Sequence, residues 1–143
     1  SEGGSIVTEG PTATWVNDRG GQLDVPFQLD PNDLPPVELK VESKTGITDF
    51  KIEISSTNQE FAELISTMFS TNNLDLINPG SNAETLATLG FPTGDQVRNQ
   101  TSLSFDISQF MSALAVFSGE HTFKLQVTDA NGQIAKSLIL IVK

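Results

Sequence analysis

The chain has 143 residues, 18 acidic against 8 basic side chains, a formal charge of -10 and no cysteine. That composition excludes disulfides, thiolate nucleophiles and cysteine metal sites, and its field repels phosphate backbones and anionic headgroups, so nucleic acid is not an expected partner. One domain of this length buries roughly 68 to 70% of its unfolded surface without needing staples, and no apolar run approaches the roughly 20 residues that span a bilayer.

Residues 1–11 surround one apolar pair, Ile6-Val7, with Ser, Glu, Gly and Pro, which predicts a flexible N-terminal tether. Ala13 to Val16 reads as a short strand. The Asn17-Asp18-Arg19-Gly20-Gly21 cluster leads into the alternating Leu23, Val25 and Phe27, which together predict a first hairpin. Asp30 to Pro36 is a crossing loop, because its prolines lack donors and restrict their predecessors. Val37, Leu39 and Val41 alternate with Glu38, Lys40 and Glu42, and the period resumes at Ile47, Phe50, Ile52 and Ile54, giving two more strands.

The period then changes. Thr57-Asn58-Gln59-Glu60 has the pattern of a capping box with Thr57 as the cap, and Phe61, Leu64, Ile65, Met68 and Phe69 follow at helical spacing. Asn72-Asn73 ends that helix, Leu74 to Ile77 is an apolar link, and Asn78-Pro79-Gly80 is a turn. Ser81 to Glu84 repeats the box before a second helix anchored by Leu86 and Leu89 and stopped at Gly90. Phe91 to Gln100 reads as loop and Leu103, Phe105 and Ile107 as a strand. Ser108 is expected to cap a last helix, with Phe110, Met111, Leu114 and Phe117 on one face and Gly119 at its end.

His121 to Lys143 forms a hairpin. Thr122, Lys124, Gln126 and Thr128 alternate with Phe123, Leu125 and Val127, and Asn131-Gly132 is read as supplying the positive φ angles of a tight turn. Ile134 to Val142 is nearly continuous in apolar residues, the pattern of a strand covered on both faces or ending deep in a core. Phe50, Ile52, Ile54, Phe123, Leu125, Val127, Leu138 and Leu140 are the expected core. Strands outnumber helices and lack regular helical crossovers, so residues 12–143 are read as one mostly-β domain, an antiparallel β-sandwich of about seven strands with α-helical insertions between the middle strands.

Leu125 to Ala135, with its Val-x-Asp-x-x-Gly core, resembles the last hairpin of bacterial immunoglobulin-like modules, including the PKD-like kind. Leu89 to Asp95 and Phe105 to Phe110 are similar to segments of uncharacterised surface lipoproteins of Bacteroidetes, and Ser1-Glu2-Gly3-Gly4 looks like the stretch just after the lipidated cysteine of such proteins. The resemblance implies an immunoglobulin-like module that is non-enzymatic and extracytoplasmic, at the outer membrane or cell surface. Its membrane association would run only through a lipid anchor lying outside this chain. It would act as a spacer or protein-interaction domain; the alternative is a glycan-binding component of a surface polysaccharide-uptake system. The Cys-Trp-Cys spacing of antibody domains is absent.

No catalytic, cofactor-binding or metal residue is assigned. His121, the only histidine, is the obligatory base of any Ser-His-Asp arrangement, yet beside Glu120 at a strand start it reads as a solvated edge residue. Asp129 and Asn131 on one loop, and Asp30, Asn32 and Asp33 on another, are hard oxygen donors of the type calcium takes. Turn chemistry alone accounts for all of them, and whether Asp30 or Asp33 joins Asp129 in a shared site stays open. Gly20-Gly21 is a turn rather than a nucleotide loop, and Asn99-Gln100-Thr101 matches the glycosylation sequon without further support. Sugar binding would need Trp15, the only tryptophan in a chain without tyrosine, to be exposed, whereas it is read as a core residue and the nine phenylalanines fall mostly at buried periods. The Phe61 and Phe110 helices offer a partner groove only if their apolar faces stay uncovered.

Overall fold

A computed structural model describes residues 9–143. Its strands are β1 (Thr12–Val16), β2 (Phe27–Leu29), β3 (Glu38–Glu42), β4 (Asp49–Ser56), β5 (Asn73–Asp75), β6 (Ser102–Asp106), β7 (Gly119–Asp129) and β8 (Gly132–Val142). Helices α1 (Gln59–Phe69), α2 (Ala83–Thr88) and α3 (Ser108–Leu114) lie between β4 and β7, where helical insertions were expected. The strands form a three-stranded sheet in the order β1-β3-β6 and a five-stranded sheet in the order β2-β8-β7-β4-β5. The fold is therefore mostly β, in two sheets with a few helices. Residues 1–8, including Ile6-Val7, lie outside the described part; at the end of the expected tether Pro11 is buried and the Asn131 amide donates to the Glu9 carbonyl at 3.1 Å.

The expected first hairpin does not form. β1 pairs antiparallel with β3, while β2 pairs parallel with β8, so the sheets are not wholly antiparallel. Local chemistry explains the separation. The Asn17 side chain accepts from the N–H groups of Arg19 and Gly21 and donates to the carbonyls of Trp15 and Gly21, which curls the chain back over Trp15. A Cβ at Gly21 would overlap the Trp15 ring. Pro26 then has no donor for a ladder, and Asp24, at φ 68°, exchanges hydrogen bonds with Ser137 of β8 at 2.7 and 2.8 Å. Leu23 and Val25 thus lie in a crossing segment, and Val25 is exposed.

Several local expectations are also revised. Asn58, not Thr57, caps α1 by accepting from Phe61 N, while the Thr57 hydroxyl accepts from Glu120 N. Ser70 ends α1 in the left-handed region at φ 60°. The Ser81 box is not made; a 3₁₀ turn, Gly80–Asn82, leads straight into α2. A complete capping box instead joins Thr93 and Gln96 at the 3₁₀ turn Gly94–Gln96, inside the expected loop. The supposed link at Leu74 is strand β5, paired with β4. Ser108 begins α3 without capping it, its hydroxyl accepting from Val37 N; Phe117 lies beyond the helix, and Gly119 opens β7.

The β7–β8 hairpin is paired along its whole length, from Gly119↔Val142 to Asp129↔Gly132. Its turn departs from the expected form, because Asn131 has no positive φ and only Gly132, at φ 153°, does. Asp129 holds the turn by accepting from Asn131 N at 2.8 Å and Gly132 N at 3.1 Å. Along β8, Leu138, Leu140 and Val142 are buried, whereas Ile139 and Ile141 are half-buried and Lys136 is exposed, so the strand is not covered on both faces.

All eight expected core residues are buried. Trp15, Leu39, Val41, Leu103 and Phe105 meet them from the three-stranded sheet. Phe50 of β4 touches Phe105 of β6 edge-on at 6.1 Å, and Phe91, Phe110, Phe61 and Phe123 continue the aromatic contacts under the helices. Leu125 is fully enclosed at 0% exposure. Leu125→Ala should therefore cost about 2 to 5 kcal/mol, seen in urea unfolding as a lower midpoint at unchanged slope; a loss within about 0.5 kcal/mol would be the mark of a surface position.

Candidate functional site

The inner face of the five-stranded sheet carries polar chemistry at one end, where Ser56 of β4 stands opposite His121 of β7 in the ladder. Both share the parity of buried neighbours, Ile52 and Ile54 on one strand and Phe123 and Leu125 on the other. His121 is fully buried, in contrast to the solvated edge residue expected from sequence. The error has a simple cause: Phe117 and α1 fold over the strand start, and sequence adjacency to Glu120 says nothing about that cover.

His121 Nε2 lies 2.8 Å from the Phe117 carbonyl, which can only accept, so this nitrogen carries the proton. Nδ1 is then the acceptor for the Ser56 hydroxyl at 2.7 Å, and Ser56 Oγ in turn accepts from Asn58 N at 2.9 Å. Phe61 packs edge-on against the imidazole at 4.7 Å. Burial lowers the His121 pKa below its ordinary 6.5, and the Phe117 carbonyl partly opposes that shift. A cleft of about 280 Å³ between the end of β4 and α1 is lined by Ser55, Ser56, Phe61, Ile65, Ser66 and Asn72.

A serine bonded to a neutral imidazole is the start of a nucleophile–base pair. Here the imidazole's other nitrogen bonds a main-chain carbonyl, so no carboxylate balances the imidazolium that proton abstraction would create. The same bonds suit a latch, tying together β4, β7, the start of α1 and the turn at Phe117 with each buried polar atom satisfied.

The two acidic loops do not meet. Asp129 sits at the hairpin turn, whereas Asp30 follows β2 beside the far end of β8, about 33 Å away at about 3.3 Å per residue along that strand. A shared site for Asp30 or Asp33 with Asp129 is thereby ruled out by topology. Asp129 gives one oxygen to its own turn and the other to the Ser43 hydroxyl at 2.6 Å. Asp30 accepts from Asn32 N at 2.9 Å, and Asp33 pairs with Arg19 at 3.3 Å. Asn99 is a turn residue at φ 64°. Trp15 is buried, its indole donating to the Pro36 carbonyl at 3.2 Å and its ring meeting Phe27 at 5.0 Å. Phe61 and Phe110 face each other at 6.1 Å in the core, so the helix faces form no open groove there.

No protein-family model matches the chain, and neither a curated protein nor a solved structure matches it.

Because the folded protein disfavours protonated His121, the unfolded chain binds more protons just below pH 6.5, and the stability from this residue is full above that value and lost as pH falls. Unfolding free energy should thus decline with acidification before the carboxylates titrate, and His121→Gln should flatten that part of the profile; an unchanged profile would dissociate His121 from it. For Asp129, Asp129→Ala should destabilise by about 1 to 3 kcal/mol through its unpaired turn donors, with the same midpoint in calcium and in chelator. A rise in midpoint with calcium that the substitution abolishes would identify a metal loop.

Proposed function

We propose that the chain is a non-enzymatic immunoglobulin-like β-sandwich module of a bacterial cell-surface lipoprotein, serving as a spacer or protein-interaction domain. The observation that supports the immunoglobulin-like part of this reading is the strand order. Under this reading the first strand is divided between the sheets, β1-β3-β6 would be strands A, B and E, and β8-β7-β4 would be G, F and C with β5 as C′, an order that supports the immunoglobulin-like assignment. The packing of Phe50 on Phe105 across the two sheets supports the sandwich part of the reading.

The site chemistry favours a binding or spacing role over hydrolysis, since the internal bonds of Ser56 and His121 are those of a structural latch. The glycan alternative relied on an exposed Trp15, and the enclosed ring leaves it without that platform. Location is inherited from the resemblance of the N-terminal segment and is the part most directly tested. Labelled palmitate fed to cells producing the full-length gene product should enter it, and protease added to intact cells should cleave it. An unlabelled product, protected until the cells are lysed, would overturn the lipoprotein assignment.

A further inference from the structure

The free edge of β6 is built to accept another strand. In the β3–β6 ladder the bonds Ile107 N to Val37 O at 2.9 Å and Ser43 N to Thr101 O at 2.9 Å fix which residues face β3, namely the odd-numbered ones. Ser102 and Ser104 therefore turn their N–H and C=O groups outward, and among the described residues these groups find no hydrogen-bond partner. The segment that would supply the next strand is folded instead into α2 and the turn after it. Between it and β6 runs an open groove of about 460 Å³, lined by Ala87, Gly90, Phe91, Pro92, Leu103 and Phe105. Gly90 closes one end, since a Cβ there would collide with the Asp106 carbonyl.

The two faces of this edge differ in chemistry. The groove side sets apolar Phe91, Pro92, Leu103 and Phe105 beside the polar Gln96 and Ser104. The opposite side carries exposed Glu38, Glu42 and Asp106 with Lys40 as the one cation among the outward residues of β3 and β6. Glu38 stands directly across from Asp106 in register, and Ser104 donates to Glu38 at 2.7 Å. Like charges opposed in this way are unfavourable, and a basic side chain on an added neighbouring strand would relieve them. A second copy of the chain is a poor occupant, because it brings the same acidic face and a charge of -10.

We infer that the β6 edge binds an extended segment of another protein that alternates basic and apolar residues, apolar side chains entering the Phe91–Phe105 groove and basic ones lying beside Glu38 and Asp106. The inference rests on the protein-interaction reading, giving it a site and a partner class. The mode is strand addition, in which main-chain bonds give affinity and alternate side chains give specificity.

The probe is an acetylated, amidated seven-residue peptide alternating Lys and Val, titrated into the isotope-labelled 143-residue chain. Amide shifts should concentrate at Ser102, Ser104 and Phe91, and hydrogen exchange at Ser102 and Ser104 should slow. Ser104→Pro removes the outward donor at a position where an edge strand tolerates proline, and should weaken binding by about tenfold, whereas Ser104→Ala keeps the donor and the affinity. If Ser104→Pro fails to fold, Ala87→Trp, filling the groove from an exposed position, should give the same loss. Shifts located elsewhere, undiminished binding by the folded Ser104→Pro or Ala87→Trp variants, or equal binding of a Glu-Val peptide would each overturn the proposal. So would a dimer formed without peptide and abolished by Ser104→Pro, since the occupant would then be a second copy. Palmitate labelling is independent of all these results, so the loss of this site leaves the surface assignment standing.

Discussion

Burial of a run of phenylalanines couples the sheets to the helices. Phe50 and Phe105 meet from opposite sheets, Phe105 meets Phe91, and Phe110 lies against Phe91, Phe61 and Phe123. Contacts of this kind are worth about 0.5 to 1.5 kcal/mol each beyond the area they remove from water. Placing Phe110 among three rings requires α3 to sit over the inner face of β7, and placing Phe61 there fixes α1. The helices are thus the cover for an end of the core that the strands do not close.

Polar groups around this apolar interior are retained by bonding internally. His121 sits at the rim of the aromatic row, in contact with Phe61, and would be costly there without its bonds to Ser56 and the Phe117 carbonyl. Asp129 plays the matching part at the other end of the five-stranded sheet, holding both the hairpin turn and Ser43. Each residue is a point where strand ends from separate parts of the chain are tied together, which explains why the most chemically suggestive side chains are spent on the fold.

The surface left for interaction is therefore main chain as much as side chain. β2 and β5, the edges of the five-stranded sheet, are only three residues each, a length that discourages further pairing. The edges of the three-stranded sheet, β1 and β6, are five residues each, and of the two it is β6 that carries a carboxylate opposed in register to another, Asp106 to Glu38, so an added strand proposed there would gain both hydrogen bonds and charge neutralisation. The strand addition proposed there would leave the aromatic core as it is.

Sequence alone determined what depends on local spacing: the alternation of Phe123, Leu125 and Val127, the inward set Phe50, Ile52 and Ile54, the helical stripe from Phe61 to Phe69, and the β-rich class of the fold. It also located the hairpin at Asp129 to Gly132, although the turn is held by the Asp129 carboxylate rather than by positive φ at Asn131. Which strands pair was a tertiary decision. β1 and β2 are near neighbours in sequence, but Gly21 passing over Trp15 and the bonds of Asp24 to Ser137 send them to different sheets. The burial of His121 and the free edge of β6 were equally invisible, because a residue's exposure is set by what the chain brings over it from far away. Periodicity records which face of a strand is apolar; only the assembled fold records what covers that face and which edge is left open.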